Sequence, residues 1–443
     1  MEISFDDGRT RSKLLQMQSG LVLPHVMTVR KVVASNDYTV AEASVNLTGD
    51  SEILQSVERV MSEVDITKLK YVFLVGIGGS YLGAKAVYDA LFVMRDITAH
   101  TNTRLVCIDT NNPTLLKTCE EIIGSLSSPE EYFVVIASKS GATTETIVNA
   151  EIVLEMFDTH WPKRADRVCV IGDTGSTLVN LGREVGMYTL TLPPKVGGRY
   201  SVFSAVGLLP LALCRIDIES LLHGAEMMLD SGTHVDSSLN PASASALVRA
   251  YEYHEGKSIH DWFTFSGELS SLGGWWRQLI GESLGKTVGD TAFGITPTVS
   301  VGSNDLHSVG QLYLGGPKDK YFTFVTVKNT SRDFKVPTNR VFPSLVEVAK
   351  GRSVAEIMEA IVHGTKEACR ERKLPFMSIM LEDISPYEIG AFMQFAMLET
   401  IYLGRLLGVN PFDQPDVEVY KRITKEILEA GQQTMVDNES VKK

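Results

Sequence analysis

Two segments of the sequence combine glycines with hydroxyl side chains, as anion-binding loops do. They are "GIGGSYLG", residues 76–83, and "SKSGATT", residues 138–144. Each follows an apolar run and precedes a helical pattern, which predicts a helix N-terminus where backbone N–H groups favour an anion. One hydroxyl alone would often just cap its helix, so the pair of loops carries the prediction of a phosphate site. The hydroxyls placed to donate are those of Ser80, Ser138, Ser140 and Thr143.

The first loop departs from the dinucleotide-binding fingerprint at one position. After Gly76 and Gly78, the third glycine of that pattern would stand at position 81, where the sequence has Tyr81. A tyrosine side chain would obstruct the close packing of helix against strand that the third glycine permits. The sequence therefore favours a phosphorylated small molecule over a dinucleotide cofactor.

A third segment, "GESLGKT" at residues 281–287, has the composition of a P-loop but not its spacing. A P-loop has four residues between its glycines, so the partner of Gly285 would stand where the sequence has Ile280. Gly281 leaves only three residues, and such a loop cannot wrap its N–H groups around phosphates in the same way. The P-loop interpretation fails, and Glu282 needs another role.

The elements that position these residues follow from the hydrophobic pattern. Apolar runs too uniform for one-faced strands alternate with amphipathic segments, which indicates parallel sheets covered by helices on both faces. We predict an α/β protein of two tandem domains, residues 1–215 with an irregular N-terminal segment and residues 216–443 with a C-terminal helix. The candidate strands are "YVFLV", "RLVCI", "YFVVIA", "RVCVIGD" and "MYTLTL" in the first domain and "HDWFTF", "TPTVSV", "YFTFVTV" and "FMSIMLE" in the second.

The predicted order of the strands brings the two loops together. In the common 2-1-3-4-5 order, a ligand binds beyond the carboxyl ends of strands 1 and 3. Taking Tyr71–Val75 as the first strand makes Tyr132–Ala137 the third. Since the hydroxyl-bearing loops leave these two strands, we expect them to meet at one crevice.

The composition is that of a globular protein with material for two cores: 443 residues, 44% of them hydrophobic and 22% charged. A formal net charge of −12 with no run of like charges argues against a nucleic-acid surface. The longest apolar stretch, "VFSAVGLLPLALC", is too short to span a bilayer, and the N-terminus lacks a signal-peptide core. Five dispersed cysteines without a CxxC pair argue against disulfides or a zinc site. We expect a cytoplasmic protein.

An ordered set of motifs between about residues 70 and 425 resembles the glucose-6-phosphate isomerase (phosphoglucose isomerase) family of the bacterial type. The most specific are "GGRYS" and "FDQP-VE--K", and the others are "GIGGSYLG", "SKSGATTET", "GESLGK" and "DLHSVGQ". The resemblance implies two sugar-isomerase domains, no metal or organic cofactor, and usually a homodimer. It also implies interconversion of glucose 6-phosphate and fructose 6-phosphate in glycolysis and gluconeogenesis.

The resemblance assigns roles to individual residues. Glu282 would be the base that moves a proton between C2 and C1 of the sugar, and Arg199 would face the developing negative charge. His307, reaching the site from the neighbouring subunit, and Lys421 would assist ring opening. Asp416 stands where the family nearly always has glycine, and Ala142 replaces a common threonine. The positions implied to bind substrate are Gly79, Ser80, Ser138, Lys139, Ser140, Thr143, Gln278 and Gln414.

These residue types suit the implied chemistry. Moving a carbonyl from C1 to C2 breaks an adjacent carbon–hydrogen bond, and a carboxylate can take that proton and return it to the neighbouring carbon. A guanidinium stabilises the enediolate charge, and a histidine can exchange protons near neutral pH. Binding the phosphate away from the reacting carbons holds the chain in place and lowers the entropic part of the barrier.

Taken singly, each residue also has a structural explanation. Glu282 could end a helix at the surface, His307 could be an exposed turn residue, and Lys421 could face water on an amphipathic helix. Only the presence of all of them, in this order along the chain, favours a catalytic role. Two alternatives stay open: a non-enzymatic phosphosugar-binding regulator, although no helix-turn-helix segment accompanies the site, and an isomerase that also accepts mannose 6-phosphate.

Overall fold

The computed structural model describes residues 1–5, 8–94, 103–329, 333–338, 342, 344 and 347–440. The chain begins with strand β1 (Glu2–Phe5) and helices α1 (Gly8–Ser35) and α2 (Ser51–Ser62). Asp50 caps the start of helix α2, and its side chain accepts from the backbone N–H groups of Glu52 and Ile53. The described strands, β1 included, form two five-stranded sheets and a short hairpin.

The first sheet is wholly parallel and has the predicted strand order. Its spatial order is β3-β2-β4-β5-β6, which confirms the 2-1-3-4-5 arrangement. Strand β4 is buried along its whole length, as expected for a central strand of a covered sheet. The strands are β2 (Tyr71–Val75), β3 (Arg104–Ile108), β4 (Tyr132–Ala137), β5 (Val168–Asp173) and β6 (Tyr188–Leu192), and the intervening helices are α3 (Leu82–Phe92), α4 (Pro113–Ser125), α5 (Thr144–His160) and α6 (Thr177–Glu184).

The second sheet has the order β1-β12-β11-β7-β10 and is parallel except at β1. All four candidate strands of the second series are confirmed. Its strands are β7 (Ile259–Thr264), β10 (Thr296–Val301), β11 (Lys320–Val327) and β12 (Phe376–Leu381), and β8 (Lys286–Val288) and β9 (Thr291–Phe293) form the hairpin. The helices are α7 (Ala205–Leu213), α8 (Ile218–Gly232), α9 (Pro241–His254), α10 (Ser270–Leu284), α11 (Gly310–Gly315), α12 (Val354–Glu371), α13 (Pro386–Leu406) and α14 (Val417–Ser440).

The N-terminal segment is not irregular, contrary to the sequence prediction. Strand β1 pairs antiparallel with β12, with Ser4 opposite Ser378, and so joins the second sheet. Helix α1 packs against α9 and α13, which belong to the same half of the molecule. The prediction was wrong because β1 is too short to show an alternating pattern and its partner strand lies almost at the other end of the chain. The boundary at residues 215/216 stays a proposal.

Helices α8 and α13 cross so closely that two glycines form the contact. A Cβ atom on Gly224 would lie inside contact distance of the carbonyl oxygen of Tyr387, and one on Gly390 would meet that of Leu221. Helix α13 is buried from Glu388 to Gly404 as a result. At this crossing the backbones of α8 and α13 touch, with no side chain between them.

The apolar stretch "VFSAVGLLPLALC" is a buried element, as predicted. It contains helix α7, and every residue of that helix is buried. Within the described ranges, no helix combines the length and the apolar character needed to cross a bilayer. Unlike α7, helix α14 lies at the surface, and its residues 418–430 are exposed.

Candidate active site

The first hydroxyl-bearing loop forms a 3-10 turn, Gly78–Ser80, between β2 and α3. Gly78 has a positive φ of 56°, which a glycine adopts without strain. A Cβ atom on Gly79 would collide with the backbone of Gly198 and Arg199, so only glycine lets the two segments touch. Gly79 therefore brings the "GGRYS" turn against the loop, and Ser80 follows it, half-buried.

The second loop leaves the sheet beside the first. A Cβ atom on Gly76 would lie 3.1 Å from the carbonyl oxygen of Ala137, the last residue of β4. The buried Ser138 follows, and its Oγ lies 3.1 Å from Oγ1 of Thr143. Thr143 is the N-cap residue of α5, yet its side chain makes no capping bond to the first turn. The N–H groups of that first turn are therefore not used by the Thr143 side chain, and a helix N-terminus of this kind favours an anion.

Two other cations, Lys195 and Arg199, act on Lys139 in this loop. Burial lowers the pKa of Lys139, and the charges of Lys195 and Arg199 lower it further, against the opposing effect of Asp173. Burial and neighbouring cations disfavour the charged form of this lysine, so an anion that binds nearby would stabilise it. Ser140 is exposed, and its Oγ accepts from the backbone N–H of Ala142 at 3.3 Å.

Arg199 is a buried guanidinium that joins three parts of the chain. Its Nε donates to Ser283 Oγ at 2.8 Å, on helix α10. Its Nη1 donates to Gln414 Oε1 at 2.9 Å, and its Nη2 donates to the carbonyl oxygens of Pro411 and Asp413 at 2.7 and 3.1 Å. With only 3% of its surface exposed, Arg199 is held in place by nearly every donor it has.

Glu282 lies beside that guanidinium in the last turn of α10. Its Oε1 is 3.4 Å from Arg199 Nη1, and its Oε2 accepts from Gln278 Nε2 at 2.9 Å. Gln278 also reaches the first loop, since a Cβ atom on Gly78 would lie 3.0 Å from its Nε2. The segment "GESLGKT" is thus the end of a helix followed by β8, in agreement with rejecting a P-loop.

The sequence pointed to no role for Lys286, yet its side chain contacts the backbone of Glu282. Its Nζ donates to the carbonyl oxygens of Glu282 and Asp413 at 2.7 and 2.6 Å and lies 3.5 Å from Asp413 Oδ1. Burial lowers its pKa, and Arg199 lowers it further. The available signal was its place at the end of "GESLGK", four residues after Glu282, where a helical turn can bring the two together.

Two predicted residues lie apart from this group. His307 is exposed and follows a 3-10 turn, Asn304–Leu306, after β10. Lys421 is exposed on α14, where its Nζ pairs with Glu418 at 2.7 Å. In the described part of the chain, no hydrogen bond or ion pair joins either residue to Arg199 or Glu282. Asp416 is also exposed, just before α14.

The fold and this site define the class of protein. Two mainly parallel α/β sheets in one chain, with hydroxyl-bearing loops at the carboxyl edge of the first, characterise the double sugar-isomerase class, as predicted. Within that class the chain belongs to the phosphoglucose isomerase family, whose sequence model matches residues 62–441.

Two relatives named glucose-6-phosphate isomerase agree with this family, and two solved structures share the fold. The chain is 33% identical over 396 residues to a glucose-6-phosphate isomerase of Campylobacter jejuni, covering 88% of this chain and 91% of that one. It is 31% identical over 389 residues to that of Carboxydothermus hydrogenoformans, covering 85% and 82%. A hypothetical protein of Thermus thermophilus superposes with a TM-score of 0.85 at 28% identity, over 96% of this chain and all of that one. A glucose-6-phosphate isomerase of Chlamydia trachomatis shares the fold, with a TM-score of 0.80 at 18% identity over 97% and 88%.

Proposed function

We propose that this protein catalyses the reversible isomerisation of glucose 6-phosphate and fructose 6-phosphate through an enediolate, a step of glycolysis and gluconeogenesis. The observation that carries the proposal is the pair formed by Glu282 and Arg199, 3.4 Å apart beside the first hydroxyl-bearing loop. A carboxylate next to a fixed guanidinium is what proton transfer through an anionic intermediate requires. Membership of the phosphoglucose isomerase family supports the same substrate pair.

In the proposed reaction the phosphate binds between the two loops. Ser80, Ser138, Ser140 and Thr143 supply hydroxyls there, Gly79 leaves room at the backbone, and Lys139 adds positive charge. The sugar then extends towards the end of helix α10, where Gln278 and Gln414 contact it. Gln278 Oε1 is buried without a hydrogen bond among the described residues, so it can accept from a sugar hydroxyl.

Glu282 would take the proton from C2 and return it to C1. Its Oε2 is oriented by Gln278, and its Oε1 faces Arg199. Arg199 stabilises negative charge as it develops on the sugar oxygens, and its hydrogen bonds to residues 411–414 prevent it from moving with the substrate. No metal or organic cofactor takes part in this proposal.

We further propose that His307 and Lys421 act in ring opening and that the protein is a cytoplasmic homodimer. The exposure of His307 on one chain supports its donation to the site of a second chain. Exposed apolar side chains on α14, among them Tyr420 and Ile427, support burial of that helix in an assembly. Asp416 stands at the start of α14 and can cap it.

The first test replaces the proposed base. We expect Glu282→Gln to lower kcat by about 10²–10⁴-fold, the usual contribution of a general acid–base group. The measurement is conversion of fructose 6-phosphate coupled to oxidation of glucose 6-phosphate, with calorimetric titration of fructose 6-phosphate to show that binding persists.

Glu120→Gln, an exposed carboxylate on α4, is the matched control and should leave turnover unchanged. A fully active Glu282→Gln enzyme would refute the assigned base. Binding without turnover in the unmodified protein would instead favour the regulatory alternative. The family relationship does not favour that alternative. Rates with mannose 6-phosphate in the same assay decide whether that sugar is also accepted.

A further inference from the structure

A cavity of about 360 Å³ opens at the amino-terminal edge of the first sheet. Tyr132 and Val168, the first residues of β4 and β5, lie in its wall. The second hydroxyl-bearing loop leaves the other end of β4, about 17 Å away at 3.3 Å per residue, and the first leaves the neighbouring strand β2 at that same edge. The cavity is therefore separate from the candidate active site.

Its size and lining are those of a small-molecule site. Protein interiors contain few voids larger than one water molecule, whereas ligand pockets of roughly 300–1,000 Å³ are mostly apolar with a few polar groups. Tyr132 and Phe157 form an aromatic wall, with ring centroids 3.8 Å apart and planes 18° apart. Leu154 and Met187 complete the apolar part. An alkyl chain or a single ring would bury well against these side chains.

The mouth of the cavity carries an unpaired cation. Lys163 lines it, is exposed, and has a φ of 60°, a left-handed conformation that is costly for a lysine. No described residue forms an ion pair or hydrogen bond with its Nζ. Asp158 also lines the cavity, but its Oδ1 accepts from the backbone N–H of Lys163 at 3.0 Å. Arg164 is already bound by Asp166, through bonds of 2.8 and 2.7 Å.

A buried guanidinium behind the wall adds positive charge. Arg167 directly precedes Val168 and is only 9% exposed, and its Nε and Nη1 have no hydrogen-bond partner among the described residues. Among the described residues it forms an ion pair with Asp166, 3.3 Å from Nε, and Arg164 already shares that carboxylate. Burial also raises the pKa of Tyr132 to about 12, so its phenol stays protonated and remains a hydrogen-bond donor at neutral pH. These groups favour an anion over a cation at this end.

We propose that this cavity binds an amphipathic monoanion, with an apolar chain or ring against Tyr132 and Phe157 and a carboxylate at Lys163. A carboxylate fits the charges because Lys163 lacks a partner and Arg167 lies behind the wall. A neutral analogue of the same shape would bury the same apolar surface but would leave Lys163 without a counter-ion. An amine would meet Lys163 at the mouth, where Asp158 already accepts from the backbone N–H of Lys163.

The site is mechanically connected to the second loop. Helix α5 contributes Leu154 and Phe157 to the cavity and has Thr143 at its other end, while β4 runs from Tyr132 to the residue before Ser138. A ligand wedged between α5 and β4 would shift one against the other and separate the hydroxyls of Ser138 and Thr143. This part of the inference rests on the proposed function. The coupling would raise KM for fructose 6-phosphate with little change in kcat.

The test uses three probes of equal chain length: octanoate, 1-octanol and octylammonium. We expect calorimetric titration to give a dissociation constant of about 1 mM or below for octanoate, within reach of a ligand of about ten heavy atoms. The other two should bind at least about fivefold more weakly, the contribution of one well-placed ion pair. Failure of octanoate to bind at about 20 mM, or equal binding of octylammonium, would overturn the proposal.

Variants locate the site. Lys163→Gln should remove the preference for octanoate over 1-octanol, whereas Lys117→Gln, on an exposed α4 lysine with a distant 4.0 Å partner, should keep it. Val185→Trp covers the mouth from a position that is 60% exposed, so it should abolish binding without straining the core. Unchanged octanoate binding in Val185→Trp would show that the ligand binds elsewhere and would overturn the proposal.

The isomerase assay then tests the coupling. Saturating octanoate should raise KM for fructose 6-phosphate in the unmodified protein but not in Val185→Trp, which separates this effect from competition at the active site. Binding without a KM change overturns the coupling. If the protein had no isomerase activity at all, calorimetry would still report binding, so the two proposals fail separately.

Discussion

At the scale of single residues, Arg199 and Lys286 hold the same stretch of chain against the end of helix α10. Both donate to the carbonyl oxygen of Asp413, at 3.1 and 2.6 Å. Arg199 also binds Gln414, and Lys286 binds the carbonyl oxygen of Glu282. The position of the proposed base therefore depends on a lysine that need not touch the substrate.

Replacing that lysine tests the dependence. Lys286→Met keeps the length of the side chain but removes the lysine donor from the carbonyl oxygen of Glu282 and leaves that of Asp413 with Arg199 alone. We therefore expect a loss of about 1–3 kcal/mol in the free energy of unfolding. We also expect kcat to fall more than the affinity for fructose 6-phosphate, because Glu282 loses its support while the phosphate loops are untouched. Urea unfolding and steady-state kinetics measure the two effects.

Lys425→Met is the matched control, since that lysine lies on exposed α14 with 77% of its side chain exposed and only a 3.7 Å pair to Glu429. It should change neither quantity. If Lys286→Met unfolds like the unmodified protein and keeps its kcat, Lys286 does not position the base.

At the scale of elements, the crossing of α8 and α13 depends on two glycines. Gly224→Ala places a methyl group against the carbonyl oxygen of Tyr387, where backbone has to move to admit it. We expect destabilisation of about 3 kcal/mol or more, at the upper end of overpacking costs. Thermal and urea unfolding measure it.

A helix glycine with free space around it should change the free energy of unfolding in the opposite direction. Gly364 lies inside α12 with nothing within 4 Å of an added Cβ atom, so Gly364→Ala should stabilise by about 0.5–1 kcal/mol. Equal effects of the two substitutions would mean that the helix crossing is not at backbone contact.

At the scale of the whole molecule, the proposed homodimer makes a specific prediction about mixed subunits. Glu282→Gln and His307→Ala chains should each be nearly inactive alone. If His307 serves the neighbouring site, co-expressed chains form mixed dimers in which one of the two sites has both residues. Random pairing then restores about a quarter of the normal activity.

Co-expression of Glu282→Gln with itself is the control and should restore nothing. Differently tagged chains allow the mixed dimer to be purified and its formation verified. A verified mixed dimer with no more activity than the separate variants would count against sharing of His307 between chains.

Local pattern was enough for most of the secondary structure. The runs at Tyr71–Val75 and Tyr132–Ala137 are strands because apolar periodicity is a property of adjacent residues. The order of the first sheet and the two loops beside each other also followed, since the alternation of strand and helix restricts how a parallel sheet can be connected. The identities of Glu282 and Arg199 came from resemblance, and the structure brings them within 3.4 Å.

By itself, then, the sequence determined the strands, the hydroxyl-bearing loops and the types of residue at the site. Tertiary structure alone decided that β1 joins β12, that Gly79 meets Arg199, and that Lys286 binds Asp413. Each of these contacts joins segments far apart in the chain, and none has a local periodicity that marks it. Such pairs form because packing brings the segments together, and only then can buried donors and acceptors find each other.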